Sequence, residues 1–242
     1  MMVNGVQVNE GVFNLADLGR NFGSYGLRDA EFEFEEEHVA ECEGGCTLDL
    51  MVENLGRANF GASHNFEQKK GLWEGDVLLD EVPLDDWEHI AVEMNTNWLA
   101  SLTSWQSYVA SEQRQVGPKL LRGSLNIAED LPDSGTYADT FFDYDCELCQ
   151  VKRIKPLYHC VCLSSIQDWK HGAVIVNGFN VGRYYVVGPQ KSLYIPGPLL
   201  RPGDNEIIVF ENYLGSDTLK FTDKPNYGSP SSDTFFQVPN KF

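Results

Sequence analysis

Residues 168–185 read Asp168-Trp169-Lys170-His171-Gly172-Ala173-Val174-Ile175-Val176-Asn177-Gly178-Phe179-Asn180-Val181-Gly182-Arg183-Tyr184-Tyr185. Ala173 to Val176 is a short apolar, β-branched run, which suits a pleated and half-buried surface. Asn177-Gly178 follows at once and supplies the positive φ angles of a tight type I′ turn, so two antiparallel strands are expected to meet there. Gly182 interrupts the return strand, where a bulge or a close backbone approach is expected. Arg183, Tyr184 and Tyr185 then set a cation and two large rings at one end of the hairpin. A core hairpin with a wet edge accounts for them without any ligand.

Working outward, the same signals recur in the same order. Val3-Asn4-Gly5 is followed by Leu48-Asp49-Leu50-Met51-Val52-Glu53-Asn54-Leu55-Gly56. Val176-Asn177-Gly178 is followed by Glu206-Ile207-Ile208-Val209-Phe210-Glu211-Asn212-Tyr213-Leu214-Gly215. From Asn4 to Asn54 is 50 positions and from Asn177 to Asn212 is 35, so no fixed solenoid period is present. Short strands between Gly, Pro and Asn turns predict an all-β protein with two tandem β-sandwich domains. A turn signal at residue 4 leaves its first strand almost no residues, so the first domain is expected to be cut short at its N-terminus. The boundary falls near residue 92, giving domains over 1–92 and 93–242.

Other stretches fill in this plan. Glu31 to Val39 alternates acid and ring at first, which predicts a strand with Phe32 and Phe34 on one face and Glu31, Glu33 and Glu35 on a solvated one. Cys42-Glu43-Gly44-Gly45-Cys46 reads as a turn and Thr47 to Glu53 as the next strand. Residues 54–61 hold two glycines, two asparagines, Arg57 and Phe60, the composition of a shaped loop of the kind that carries binding groups. Residues 69–84 read as strand, turn and strand, and Trp98, Leu99, Leu102, Trp105 and Val109 recur at helical spacing, which predicts a short helix or, alternatively, a loosely structured linker. Residues 118–127, 192–195 and 205–211 read as strands.

Composition narrows the function classes. The chain has 242 residues, with 18 Lys and Arg against 36 Asp and Glu, for a net charge of -18. Such a surface repels phosphate backbones and anionic lipid heads, so neither nucleic acid nor a membrane is an expected partner. The first residues show no basic and apolar leader. Gly-x-Ser-x-Gly, Gly-Lys-Ser/Thr and His-Glu-x-x-His are all absent, and the 5 histidines are scattered. Residues 144–166 stand apart, with Cys146, Cys149, Cys160 and Cys162 beside His159. The second cysteine pair lacks the two-residue spacer of a zinc site, so a surface loop or a translated non-coding piece fits this insertion better than a metal centre. No metal and no cofactor is expected.

Leu48-Asp49-Leu50-Met51-Val52-Glu53-Asn54-Leu55-Gly56-Arg57-Ala58-Asn59-Phe60-Gly61 resembles the Leu-Asp-Leu-Leu-Val-Glu-Asn-Met-Gly-Arg-Val-Asn-Tyr-Gly segment of family 35 β-galactosidases. Lys70-Gly71-Leu72, Val176 to Tyr185, Gly188-Pro189-Gln190 and Leu193-Tyr194-Ile195-Pro196 also resemble that family, in order. The resemblance implies jelly-roll, galactose-binding-like β-domains that follow a catalytic (β/α)8 barrel. A barrel takes roughly 200 residues or more, and retaining glycoside hydrolysis takes two carboxyls about 5 Å apart across the sugar bond. Neither is visible here, so the chain is expected to be a non-catalytic β-domain region, inactive alone.

The family's loop tyrosine reaches toward the sugar pocket, and its position here is Phe60, which keeps the ring and loses the hydroxyl. Phe60, Asn59 and Arg57 are therefore the expected edge of a substrate pocket built by the whole enzyme. Trp169, Arg183, Tyr184 and Tyr185 are candidate sugar or interface residues. The implied partners are a β-galactoside or galactose and a catalytic barrel, and the implied location is lysosomal or extracellular. The alternatives are a stand-alone galactose-binding module, carried by the aromatic set, and a vestigial gene fragment.

Overall fold

The computed structural model describes residues 1–9, 30–40, 42–53, 71–72, 75–109, 116–127, 139–144, 169–187 and 190–227. They form an all-β protein with several antiparallel sheets and two short helices. In the first part, β1 (Met2–Val3), β2 (Val6–Gln7) and β3 (Leu48–Asp49) make a sheet in the order β2-β1-β3. A separate hairpin joins β4 (Leu78–Leu79) to β5 (Val82–Pro83). Its two-residue turn has Asp80 and Glu81 both at positive φ, at 48° and 66°.

The second part is a sandwich. Its larger sheet runs β6-β11-β8-β9, from β6 (Lys119–Ile127), β8 (His171–Val176), β9 (Phe179–Tyr185) and β11 (Gly203–Glu211). The smaller runs β10-β7-β12, from β7 (Thr140–Asp143), β10 (Ser192–Ile195) and β12 (Lys220–Thr222). Phe142, Ile195 and Phe221 of the smaller sheet meet Val174, Val176, Tyr184, Ile207 and Val209 of the larger. Phe142 lies at the centre, edge-on to Trp169 and Tyr184 with ring centroids 5.7 Å apart in each case. Such edge-to-face pairs add stability beyond the area they bury.

The two Asn-Gly turns form as expected. Asn4 and Gly5 have φ of 48° and 78°, and Asn177 and Gly178 have 51° and 81°. The repeat extends to the hydrogen bonds. Asn4 donates its N–H to the Thr47 carbonyl, and its Oδ1 accepts from the Thr47 N–H. Asn177 does the same with the carbonyl and N–H of Glu206. The side-chain amides differ: Asn177 donates to Leu199 and to Asn205, whereas Asn4 faces Cys46 Sγ. Cys46 is itself joined to Cys42 in a disulfide, which the turn-like spacing alone did not reveal.

β9 carries the expected irregularity. Val174 pairs with Gly182 and Ile175 with Asn180, which leaves Val181 as the extra residue of a bulge. Gly182 has φ 139°, a value an L side chain rarely takes. Val181 and Tyr184 consequently both face the core although they are three positions apart.

One expectation is corrected and another is narrowed. Residues 31–35 are not a strand, and α1 (Glu36–Val39) follows them. No described strand pairs with this stretch, and Glu36 and Glu37 favour the positive end of a helix. The alternation of half-buried rings and exposed acids persists without a ladder. The helical spacing from Trp98 to Val109 yields only α2 (Thr96–Ser101), started by Asn95 Oδ1 accepting from the Trp98 N–H at 2.8 Å. Leu102 is extended, and residues 103–109 are in neither helix nor strand.

Candidate functional site

The end of β8 and β9 away from the Asn177-Gly178 turn is where the polar groups gather. His171 begins β8 and pairs with Tyr185 at the end of β9. Their rings stack with centroids 4.3 Å apart. Alternation along β9 then separates three adjacent residues. Arg183 is exposed on one face, with Tyr185 half-buried beside the imidazole, while Tyr184 is 2% exposed inside the core.

Glu53, which ends a described stretch of the first part, reaches this cluster. Its Oε2 lies 3.1 Å from His171 Nε2 and its Oε1 lies 3.1 Å from Arg183 Nε. Asn212, just past β11, donates Nδ2 to Glu53 Oε2 at 3.4 Å and lies 3.3 Å from His171 Nδ1. Burial pushes the Glu53 carboxyl up, but the bonds and charges of His171 and Arg183, with Asn212, outweigh it and hold the group below its ordinary value. Glu53 is thus an ionised anchor that ties the first part to the hairpin of the second.

Beneath that hairpin lies a second carboxylate. Glu211 is fully buried and accepts the hydroxyl of Tyr184 together with the N–H groups of Lys170 and Tyr213. Burial pushes its carboxyl up, against the lowering pull of Tyr184 and of the backbone N–H groups of Lys170, Tyr213 and His171. Burial, then the charge of Glu211, pushes the Tyr184 phenol well above its ordinary value. Gly172 packs so close to this group that a Cβ there would sit 1.7 Å from the Phe210 carbonyl oxygen and 2.9 Å from the Tyr184 hydroxyl. Glu53 and Glu211 hold matching places in the repeated Val-Glu-Asn and Phe-Glu-Asn signals. One carboxylate is ion-paired and the other sealed from solvent, so the arrangement joins and braces; it offers no free acid-base pair.

The sequence-derived site residues therefore separate. Arg57, Asn59 and Phe60 lie outside the described residues, as do Cys146, Cys149, His159, Cys160 and Cys162. Trp169 is 5% exposed and Tyr184 2% exposed, so neither ring presents a face to a sugar. Trp169 donates its indole N–H to the Thr218 carbonyl at 3.2 Å. Arg183 and Tyr185 do come together, around His171 and Glu53. Glu53, Glu211, His171 and Asn212 were missed, because acids read as a solvated face and the histidines as scattered. The signal that marks Glu53, Glu211 and Asn212 is an acid closing an apolar run twice, each time before Asn. Among the described residues no group of three or more His, Cys, Asp or Glu side chains could hold a metal ion. No described helix is long and apolar enough to cross a membrane.

Comparison with known proteins places both parts in one context. Residues 26–93 match the family described as "Beta-galactosidase, first all-beta domain", and residues 160–205 match "Beta-galactosidase, galactose-binding domain". Human "Beta-galactosidase-1-like protein 2" is 32% identical over 188 residues, 77% of this chain and 24% of that protein. Human "Beta-galactosidase-1-like protein 3" is 33% identical over 190 residues, 78% of this chain and 24% of its own length. "Beta-galactosidase 1" of Dictyostelium discoideum is 33% identical over 175 residues, 71% of this chain and 21% of its own length. The chain spans about a quarter of the length of the curated relatives it matches.

Proposed function

Because the chain carries two β-domains of the β-galactosidase family, we propose that it forms the non-catalytic β-domain region of an enzyme that hydrolyses terminal β-galactosyl residues. In this reading its own task is mechanical: it braces a catalytic barrel and edges the sugar pocket that the barrel provides. The observation that supports this most is the joint at Glu53, where the first all-beta stretch is gripped by His171 and Arg183 of the galactose-binding stretch. Arg57, Asn59 and Phe60 follow closely after Glu53 in the sequence, so the joint lies next in sequence to the segment assigned to the pocket edge. The domains divide at residue 92, and the enzyme works in carbohydrate metabolism in a lysosomal or extracellular setting.

The test is a chromogenic β-galactoside assay on the purified chain. No turnover above a matched blank is expected. Turnover that persists through repurification overturns the non-catalytic reading. The rival, a galactose-binding module, is weakened by the burial of Trp169 and Tyr184. Titration with galactose to tens of millimolar, about the weak limit of useful affinity, separates the two. A saturable change in Trp fluorescence or NMR shifts favours the module, and a flat response favours the bracing role.

A further inference from the structure

Asn-Gly occurs twice in the chain, at 4–5 and 177–178, each time after valine. The dipeptide is open to one reaction with water. Glycine has no Cβ to shield its backbone nitrogen, so that nitrogen can reach the asparagine Cγ and close a five-membered ring. The two turns share one backbone conformation, with φ of 48° and 78° in the first and 51° and 81° in the second. Their side chains tell them apart. Asn177 is half-buried; its Nδ2 donates to the Leu199 carbonyl and to Asn205 Oδ1, both at 2.8 Å, and its Oδ1 accepts from the Glu206 N–H at 3.0 Å. Asn205 is fully buried and is held in turn by the carbonyls of Leu125, Arg201 and Gly203. Asn4 is exposed. Its Oδ1 accepts from the Thr47 N–H at 3.0 Å, and its Nδ2 donates to Cys46 Sγ at 3.2 Å, where sulfur is a weak acceptor. The strands that meet at Asn4 have 2 residues each, against 6 and 7 at Asn177.

We propose that Asn4 is a hydrolytic modification site, where the chain loses a side-chain amide through its own Gly5, and that the anchored Asn177 resists the same reaction. The Gly5 nitrogen bonds to Asn4 Cγ and gives up its proton as the Cγ–Nδ2 bond breaks and ammonia leaves. Water then opens the ring on one side of that nitrogen or the other. Cleavage at Cγ leaves aspartate. Cleavage at the Asn4 main-chain carbonyl leaves isoaspartate, with an extra methylene in the backbone. Ring closure needs the asparagine side chain to swing off its partners, so every hydrogen bond that holds it adds to the barrier. Either product sets a new carboxylate beside the Cys42–Cys46 disulfide and removes the Nδ2 donor. The isoaspartate also shifts the oxygen that accepts from Thr47, next to the pairing of β1 with β3.

Incubation of the full chain in heavy-oxygen water at mildly alkaline pH, followed by peptide mass spectrometry, tests this. The Asn4 peptide is expected to gain label at least about tenfold faster than the Asn177 peptide, a barrier difference of about 1.4 kcal/mol. A lower ratio overturns the proposal. In urea strong enough to unfold the chain the two rates are expected to converge, because valine precedes and glycine follows the asparagine in both. A preference for Asn4 that persists in urea overturns the assignment to the fold. The isoaspartyl form, separated by ion exchange, is expected to exchange its Thr47 amide proton faster than the parent chain. Equal exchange overturns the loosening at β3.

Discussion

Tyr184 donates its hydroxyl to the carboxylate of Glu211, and both side chains lie sealed between the two sheets of the sandwich. The tyrosine comes from β9 and the glutamate from β11, with β8 running between them. Their bond therefore spans the middle strand, over the spot where Gly172 leaves no room for a side chain.

Tyr184→Phe keeps the ring in its aromatic cluster and removes only the donor. A hydrogen bond to a charged group is worth about 1.5–3 kcal/mol. A loss of that order is expected in urea-induced unfolding. A loss below about 0.5 kcal/mol would mean that Glu211 finds another donor without strain.

Glu211→Gln changes how stability depends on pH. The folded-state pKa of Glu211 is raised, so its contribution is greatest below the ordinary carboxylate pKa and is lost as pH rises through the folded-state value. The wild type is therefore expected to lose stability relative to Glu211→Gln as pH rises from about 4 to 8. Parallel melting curves for the two proteins across that range would contradict the sign.

Gly172→Ala places a methyl 1.7 Å from the Phe210 carbonyl oxygen and 2.8 Å from its carbonyl carbon, both backbone atoms in the neighbouring strand. Backbone cannot swing aside as a flexible side chain can. A loss above about 4 kcal/mol is expected, read as lost cooperative melting of the second part by circular dichroism.

Glu53 should behave oppositely to Glu211. Its pKa is lowered, so its contribution is present above the ordinary carboxylate value and fades as pH falls through the folded-state value. In double-mutant cycles at neutral pH, coupling with His171 should exceed coupling with Arg183. The His171 side chain is 19% exposed and that of Arg183 is 49% exposed, and exposed ion pairs yield about 0.2–1 kcal/mol. Equal couplings would place the joint's strength in the arginine instead.

The turns were legible because Asn-Gly carries its conformation within two residues, and Asn4-Gly5 and Asn177-Gly178 both obey it. Strands β6, β10 and β11 were legible because their apolar pattern is paired along its whole length. The stretch Glu31 to Glu35 misled, since alternation describes an exposed extended chain as well as a strand. Only a partner ladder makes the difference, and partners are nonlocal. Arg183, Tyr184 and Tyr185 read as one polar aromatic group, yet the period of two sets the middle ring apart from its neighbours. Glu211 was hidden for a different reason. A buried carboxylate is made tolerable by donors at Lys170, Tyr184 and Tyr213, and only the first two lie on the hairpin that drew notice.

The bulge at Val181 acts as a frameshift in the alternation of β9. Downstream of it, odd-numbered residues look outward and the even-numbered Tyr184 looks in; upstream, odd-numbered Val181 itself is the one that looks in. Were the bulge flattened with Val181 kept, Val181 would stand opposite Val174 and each later residue would slip by one partner, exchanging the two sets. Arg183 would then point into the space Tyr184 now fills, Glu211 would lose its hydroxyl donor, and Glu53 would lose its arginine. One surplus residue thus decides which member of an Arg-Tyr-Tyr triplet belongs to the inside of the protein and which belong to its neighbour.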